Sequence, residues 1–153
     1  MTAGDDRSRR TAELHRSVAH RLAEQDQQYT ANRRTVVDLL AAAGCPVTLP
    51  DLLAADPTLA QSSVYRTLSV LTDAGVVHRL VHVGDHAMFE LDEHLTGHHH
   101  HLVCDRCGTV LDVVFPESVE SLLARTFDEV SSPAGFSPTS HTIDVHGRCA
   151  ACS

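Results

Sequence analysis

Apolar residues recur at helical spacing through the first half of the chain and then switch to alternation. In RTAELHRSVAHRLAEQDQ, Leu14, Val18, Ala19 and Leu22 fall at i, i+4, i+5 and i+8, a stripe whose opposite face is polar. Thr30 supplies an N-cap for ANRRTVVDLLAAAG, where Val36, Val37, Leu39 and Leu40 are apolar and Gly44 marks the stop. Thr48, Pro50 and Asp51 repeat the start signal for a short helix through Leu52 and Leu53. Ser62 or a neighbour opens a fourth helix, SSVYRTLSVLTDAG, with Val64, Leu68 and Leu71 spaced for burial and Gly75 at its end. VVHRLVHV then alternates as a strand, Gly84 and Asp85 carry turn chemistry, and HAMFELD returns. Helices followed by a β-hairpin make the winged helix-turn-helix plan, in which the last helix before the wing enters the DNA major groove.

Residues 93–97, EHLTG, read as a polar linker. They divide the chain into a DNA-binding domain over 1–91, a hinge over 92–97 and a second domain over 98–153. In the second domain HHHHLVC and TVLDVVF read as strands around a turn. Pro116 opens the helix ESVESLLARTFDEV, with Val119, Leu122, Leu123 and Phe127 on one side. SSPAG breaks the chain, and SPTSHTIDVHG ends in a last strand. The predicted fold class is α+β: a winged helix-turn-helix domain joined to a small α/β domain.

Composition changes this picture in two ways. The net charge of −8 argues against a nucleic-acid binder until it is divided. Residues 1–91 hold nine Arg against eleven acidic groups, while residues 92–153 hold three against nine, so most of the acidity lies in the second domain. Arg7, Arg9, Arg10, Arg16 and Arg21 cluster early, where a positive local surface survives a negative total. No apolar run approaches the roughly 20 residues of a membrane span, and MTAGDDRSRR lacks an apolar signal core, so a cytoplasmic chain is expected.

Five cysteines in such a chain do not read as a disulfide framework. Cys104-x-x-Cys107 and Cys149-x-x-Cys152 have metal spacing, and each pair can take two corners of a tetrahedron around a structural Zn²⁺. Cys45 stands alone and reads as a small buried thiol. Just ahead of the first pair runs His98-His99-His100-His101. On a strand, His98 and His100 point one way and His99 and His101 the other, so one run can serve two metals.

Three stretches in register, SSVYRTLSVLTDAGVV, HHHHLVCDRCG and SHTIDVHGRCAAC, resemble the ferric uptake regulator family of metal-sensing repressors, most of all its zinc uptake regulators. The resemblance implies a homodimeric, non-enzymatic transcriptional repressor of metal homeostasis genes that binds a double-stranded operator and responds to bound metal, with residues 98–153 dimerising. It implies that Tyr65 contacts bases and Arg66 phosphate, with Ser63 where the family has Thr, and that Arg33 works near the minor groove. It also implies a sensory site at His99 and His101. The iron-type partner, a His ahead of the third helix, is replaced here by Cys45 and Pro46. His78 matches a ligand of zinc regulators, and the remaining corner falls to Asp92, with Glu90 as the alternative. For His98 and His100 the resemblance implies Glu120 and His141 as partners in a second site.

Zinc or another divalent transition metal is therefore the expected regulatory ligand, with iron, nickel, manganese or peroxide sensing as the runner-up. A zinc hydrolase is disfavoured because no HExxH base and no His-x-Glu deaminase pattern is present. A metal-storage protein would leave SSVYRTL unexplained.

Overall fold

The computed structural model describes residues 3–81 and 87–153, with the side chains of 3–6 and 81 left aside; the expected turn at Gly84 and Asp85, with His82 and His86, lies outside the described residues. The chain divides into two compact units, Met1–Gly97 and His98–Ser153.

The first unit carries α1 (Ala3–Ala23), α2 (Ala31–Ala43), β1 (Val47–Thr48), α3 (Leu49–Ala55), α4 (Gln61–Asp73), β2 (Val77–Val81), β3 (Ala87–Leu91) and α5 (Glu93–Thr96). Thr30 caps α2 by accepting from Arg33 N, and Gly44 ends it in the left-handed region at φ 61°, a backbone conformation that residues with a side chain rarely adopt. Thr48 and Asp51 form a reciprocal capping box on α3, with Pro50 in the first turn. Thr48→Ala is expected to cost about 1 kcal/mol, read as a lower melting temperature of this unit.

Helix α4 begins at Gln61, one residue before Ser62, and has no side-chain cap. The Ala60 carbonyl closes the first turn instead, accepting from Ser63 N and Val64 N. Val18, Leu22, Val36, Val37, Leu40, Leu52, Val64, Leu68, Leu71, Val76, Val77, Phe89 and Leu91 form one buried core beneath these elements. The three-stranded sheet runs β1-β3-β2, all antiparallel, so β2 and β3 form the wing. Two-residue β1 has no periodicity to read; it exists because Val47 and Thr48 pair with Phe89 and Met88. Residues 93–97, expected as linker, carry the short helix α5, which Asp92 caps by accepting from His94 N.

The second unit carries β4 (His100–Cys104), β5 (Val110–Val113), α6 (Glu117–Ser131), a 3₁₀ turn (Ser132–Ala134) and β6 (Asp144–Gly147). Its sheet runs β5-β4-β6, with β4 antiparallel to β5 and parallel to β6. The β4–β5 turn holds the first cysteine pair and is closed by Cys104 N to the Thr109 carbonyl and Gly108 N to the Cys104 carbonyl. Gly108, at φ 73°, takes the left-handed conformation that the turn requires. Helix α6 buries no residue, and Leu122, Val130, Leu111 and Val145 are exposed. No helix among the described residues is long and apolar enough to cross a membrane.

Candidate metal centres and nucleic-acid interface

Cys104, Cys107, Cys149 and Cys152 converge, each offering Sγ within 4.8 Å of the others. Sulfurs at about 2.3 Å from a tetrahedral zinc lie about 3.8 Å apart. Cys107 and Cys149 Sγ are 3.7 Å apart. Backbone N–H groups of Cys149, Cys107 and Arg106 aimed at Cys104 lower its thiol to about 6, which favours the thiolate a metal needs. The Thr109 hydroxyl and N–H lower Cys107 as well. Cys152 is pushed up to about 12, because its proton is shared with Cys107 and Cys149.

His98, His100, Glu120 and His141 form a second cluster within the same unit. Imidazole nitrogens at about 2.05 Å from a tetrahedral ion lie about 3.3 Å apart. His98 and His141 Nε2 are 3.3 Å apart, His141 Nε2 is 3.3 Å from Glu120 Oε2, and His98 Nε2 is 3.5 Å from the same oxygen. His100 Nε2 is 2.9 Å from Glu120 Oε1. The donor set therefore already has the spacing and chemistry of a divalent ion site. His100 is fully buried against Phe115, and its Nδ1 has no hydrogen-bond partner among the described residues. Burial would push the Glu120 carboxyl up, but the hydrogen bond and charge of His100, with His98 and His141, hold it below the usual carboxylate range.

His99 and His101 sit on the other side, as alternation requires, with ring centroids 5.3 Å apart. Here the structure adds a residue that the motifs did not reveal. Asp112 pairs with His101 across β4 and β5, and its carboxylate is 3.9 Å from His99 Nε2 and 4.0 Å from His101 Nε2. The signal was present: counting outward from the cysteine turn, Val103 faces Val110, Leu102 faces Leu111 and His101 faces Asp112. Asp144 of β6, also not singled out, lies 3.1 Å from His101 Nδ1. That contact fixes the ring and leaves Nε2 for a ligand, as metal-binding histidines require.

In the first unit, His78 of β2 faces Glu90 of β3 in register, and its Nε2 is 4.0 Å from Asp92 Oδ2. Asp92 is already engaged. Its Oδ1 accepts from Arg21 Nη1 at 2.9 Å and from His94 N at 3.2 Å, with His94 Nδ1 3.1 Å away. Burial pushes the Asp92 carboxyl up, but Arg21 and His94 outweigh it and hold it below the usual range.

On α4, Val64, Thr67, Leu68 and Leu71 are buried while Tyr65 is 67% exposed, so the ring is available to a groove. Arg66 lies exposed beside it, its Nε donating to the Ser62 carbonyl. Ser63 Oγ and Thr67 Oγ1 each accept from Asn32 Nδ2 at 3.0 Å, which fixes α4 on α2. Arg33 is in the first turn of α2, and its guanidinium reaches back to the preceding loop, donating to the Gln28 carbonyl and to Gln27 Oε1 at 2.9 Å. Tyr65 lines a cleft of 490 Å³ with Thr48, Ser69, Arg79 and Phe89 among others.

The ferric uptake regulator family model matches residues 24–146. The ferric uptake regulation protein of Legionella pneumophila is 33% identical over 101 residues, covering 66% of this chain and 69% of that protein. The crystal structure of the Vibrio cholerae ferric uptake regulator superposes with a TM-score of 0.67 at 25% identity, covering 84% of this chain and 96% of that one. The crystal structure of holo XcZur gives a TM-score of 0.53 at 30% identity, covering 92% and 96%. With a winged helix, an exposed Tyr-Arg pair on its recognition helix, and histidine and cysteine clusters beyond it, the chain belongs to the ferric uptake regulator family of metal-responsive, DNA-binding transcriptional regulators.

Proposed function

We propose that the protein is a zinc-responsive repressor, a cytoplasmic homodimer that binds operator DNA through Tyr65 and Arg66, with Ser63 and Arg33 in support. The observation that carries the zinc reading is the convergence of three imidazoles and a carboxylate, His98, His100, His141 and Glu120, whose ligand atoms lie within 4.8 Å of one another. The four-cysteine cluster is the structural zinc site. The exposed Leu111, Leu122, Val130 and Val145 support a homodimer, since a covered face of this kind removes apolar area from water.

His99 and His101 are the sensory histidines, with Asp112 beside them and with His78 and Asp92, or Glu90, as ligands from the first unit. A ligand that favours one arrangement shifts the population toward it, and DNA and metal then strengthen each other's binding reciprocally. Asp112 also favours a second reading: an additional carboxylate suits iron or manganese better than a three-imidazole set does.

Fluorescence anisotropy with DNA from the protein's own promoter region, in the presence of zinc, iron(II), manganese or nickel, separates the readings. Zinc is expected to tighten binding by roughly 5–150-fold, the usual range for coupled sites. His99→Ala is expected to bring that ratio close to one with an unchanged melting temperature. Wild-type DNA affinity at limiting zinc in His99→Ala would overturn the sensory assignment, and a response to iron alone would overturn the metal.

A further inference from the structure

The amide of Asn32 joins α2 to α4 at two points. Asn32 is the second residue of α2, and its Nδ2 donates to Ser63 Oγ and to Thr67 Oγ1, each at 3.0 Å. Ser63 and Thr67 stand four residues apart, so they lie one above the other on the same side of α4. Tyr65 stands midway, two residues from each and therefore about 200° round the helix. The side of α4 that meets Asn32 is thus opposite the side that carries the ring, and Thr67 is buried where Tyr65 is exposed. Apolar side chains complete the joint: Val36, Val37 and Leu40 of α2 share the core with Val64, Leu68 and Leu71 of α4. Burial of such groups holds two helices together but is non-directional, so it tolerates a small turn of α4 about its own axis. Hydrogen bonds weaken steeply as their angle closes, and two of them one helical turn apart resist that motion. A single asparagine sets register in the apolar seam of a coiled coil by the same logic.

We propose that Asn32 is a positioning residue that sets the rotation of α4 about its axis and so aims Tyr65 at the operator. The proposal rests on the reading of Tyr65 as a base contact. The ring projects far from the helix axis, so a small rotation moves it more than it moves the backbone. Base contacts carry sequence preference, whereas phosphate contacts made by a long side chain such as Arg66 adapt to a small shift. Loss of the Asn32 bonds therefore acts on the choice between DNA sequences, not on attraction to DNA in general.

The test measures affinity for DNA from the protein's own promoter region and for unrelated DNA of the same length, with zinc present, on the full-length protein. The ratio of the two is the readout, taken well below the melting temperature of each variant. Asn32→Ala is expected to lower that ratio by about tenfold, as for coupled residues, while affinity for unrelated DNA stays near wild type. Thr67→Val removes one of the two acceptors from a side chain only 6% exposed, so it should lower the ratio less without touching DNA. It also keeps the test decisive if Asn32→Ala fails to fold. Asn32→Asp offers two oxygens that accept from the two hydroxyls, and an acid suits the first turn of α2. Its charge weakens binding to both DNAs alike, so the ratio should stay near wild type. With Tyr65→Ala already present, Asn32→Ala should lower the ratio no further, because the ring it aims is gone. Wild-type ratios in both Asn32→Ala and Thr67→Val overturn the proposal and leave Asn32 as a packing residue. An equal further loss in the Tyr65→Ala background overturns it too, since Asn32 then acts independently of the ring. A wild type with no preference for promoter DNA is a distinct result: it defeats the base-contact reading, and the proposal falls with it.

Discussion

Cys104→Ser is expected to leave residues 98–153 without a cooperative fold while the winged-helix unit stays intact. The apolar core explains the size of the effect. Among the described residues of this unit only Val103, Cys104 and Val110 are buried apolar side chains, and α6 buries none. A unit this small cannot balance its chain entropy with so little buried area, so a metal clip or a partner has to contribute. The cysteines hold the end of the chain, Cys149 and Cys152, to the turn after β4, and without that tie β6 loses the anchor beyond Gly147. Amide exchange should show protection lost across 98–153 and retained in α1 to α4, and chelation of the wild type should reproduce the pattern. Equal protection in wild type and Cys104→Ser would overturn the structural role. The thiols also give the sign of the pH dependence. Cys104 sits at about 6 and Cys152 at about 12, so zinc must displace at least the Cys152 proton at neutral pH. Acid therefore competes with zinc, and the same loss of fold should appear at lower chelator concentration as pH falls.

Leu68→Ala and Tyr65→Ala, three residues apart on α4, are expected to fail in opposite ways. Leu68 is 1% exposed at the centre of the first unit's core, and truncation there leaves a cavity beneath the recognition helix costing about 2–5 kcal/mol. Thermal unfolding of the winged-helix unit should move accordingly, and DNA binding should fall because the helix loses its seat. Tyr65 is 67% exposed and makes no part of that core, so its truncation should leave the melting temperature within error. Loss of its groove contact should nevertheless weaken operator binding by about 1–3 kcal/mol, roughly 5- to 150-fold, and more for the operator than for unrelated DNA. A drop in melting temperature for Tyr65→Ala, or undiminished operator preference, would move Tyr65 out of the interface.

Most of the local structure was legible because each signal is carried by neighbours along the chain. Thr30 and Gly44 bound α2, and Thr48 with Asp51 starts α3, since a cap is a bond between residues three or four apart. The histidine run separated into two faces as alternation implies, although only His100 and His101 lie in β4 and His98 and His99 precede it. The two Cys-x-x-Cys pairs came together as their spacing implied.

What escaped depends on which strands lie side by side. β1 exists only through its pairing with β3. Asp112 and Asp144 reach His101 only because β5 and β6 flank β4 from opposite sides, a strand order that no periodicity encodes. Asp92 looked like an available carboxylate, yet α1 delivers Arg21 to it from 71 positions away in the chain. The sequence by itself thus determined the elements, their caps and the types of metal ligand, all set by short-range geometry and chemistry. The tertiary structure decided which carboxylate stands beside which imidazole and which carboxylate is already held by an arginine, because such pairings arise only from packing between distant segments.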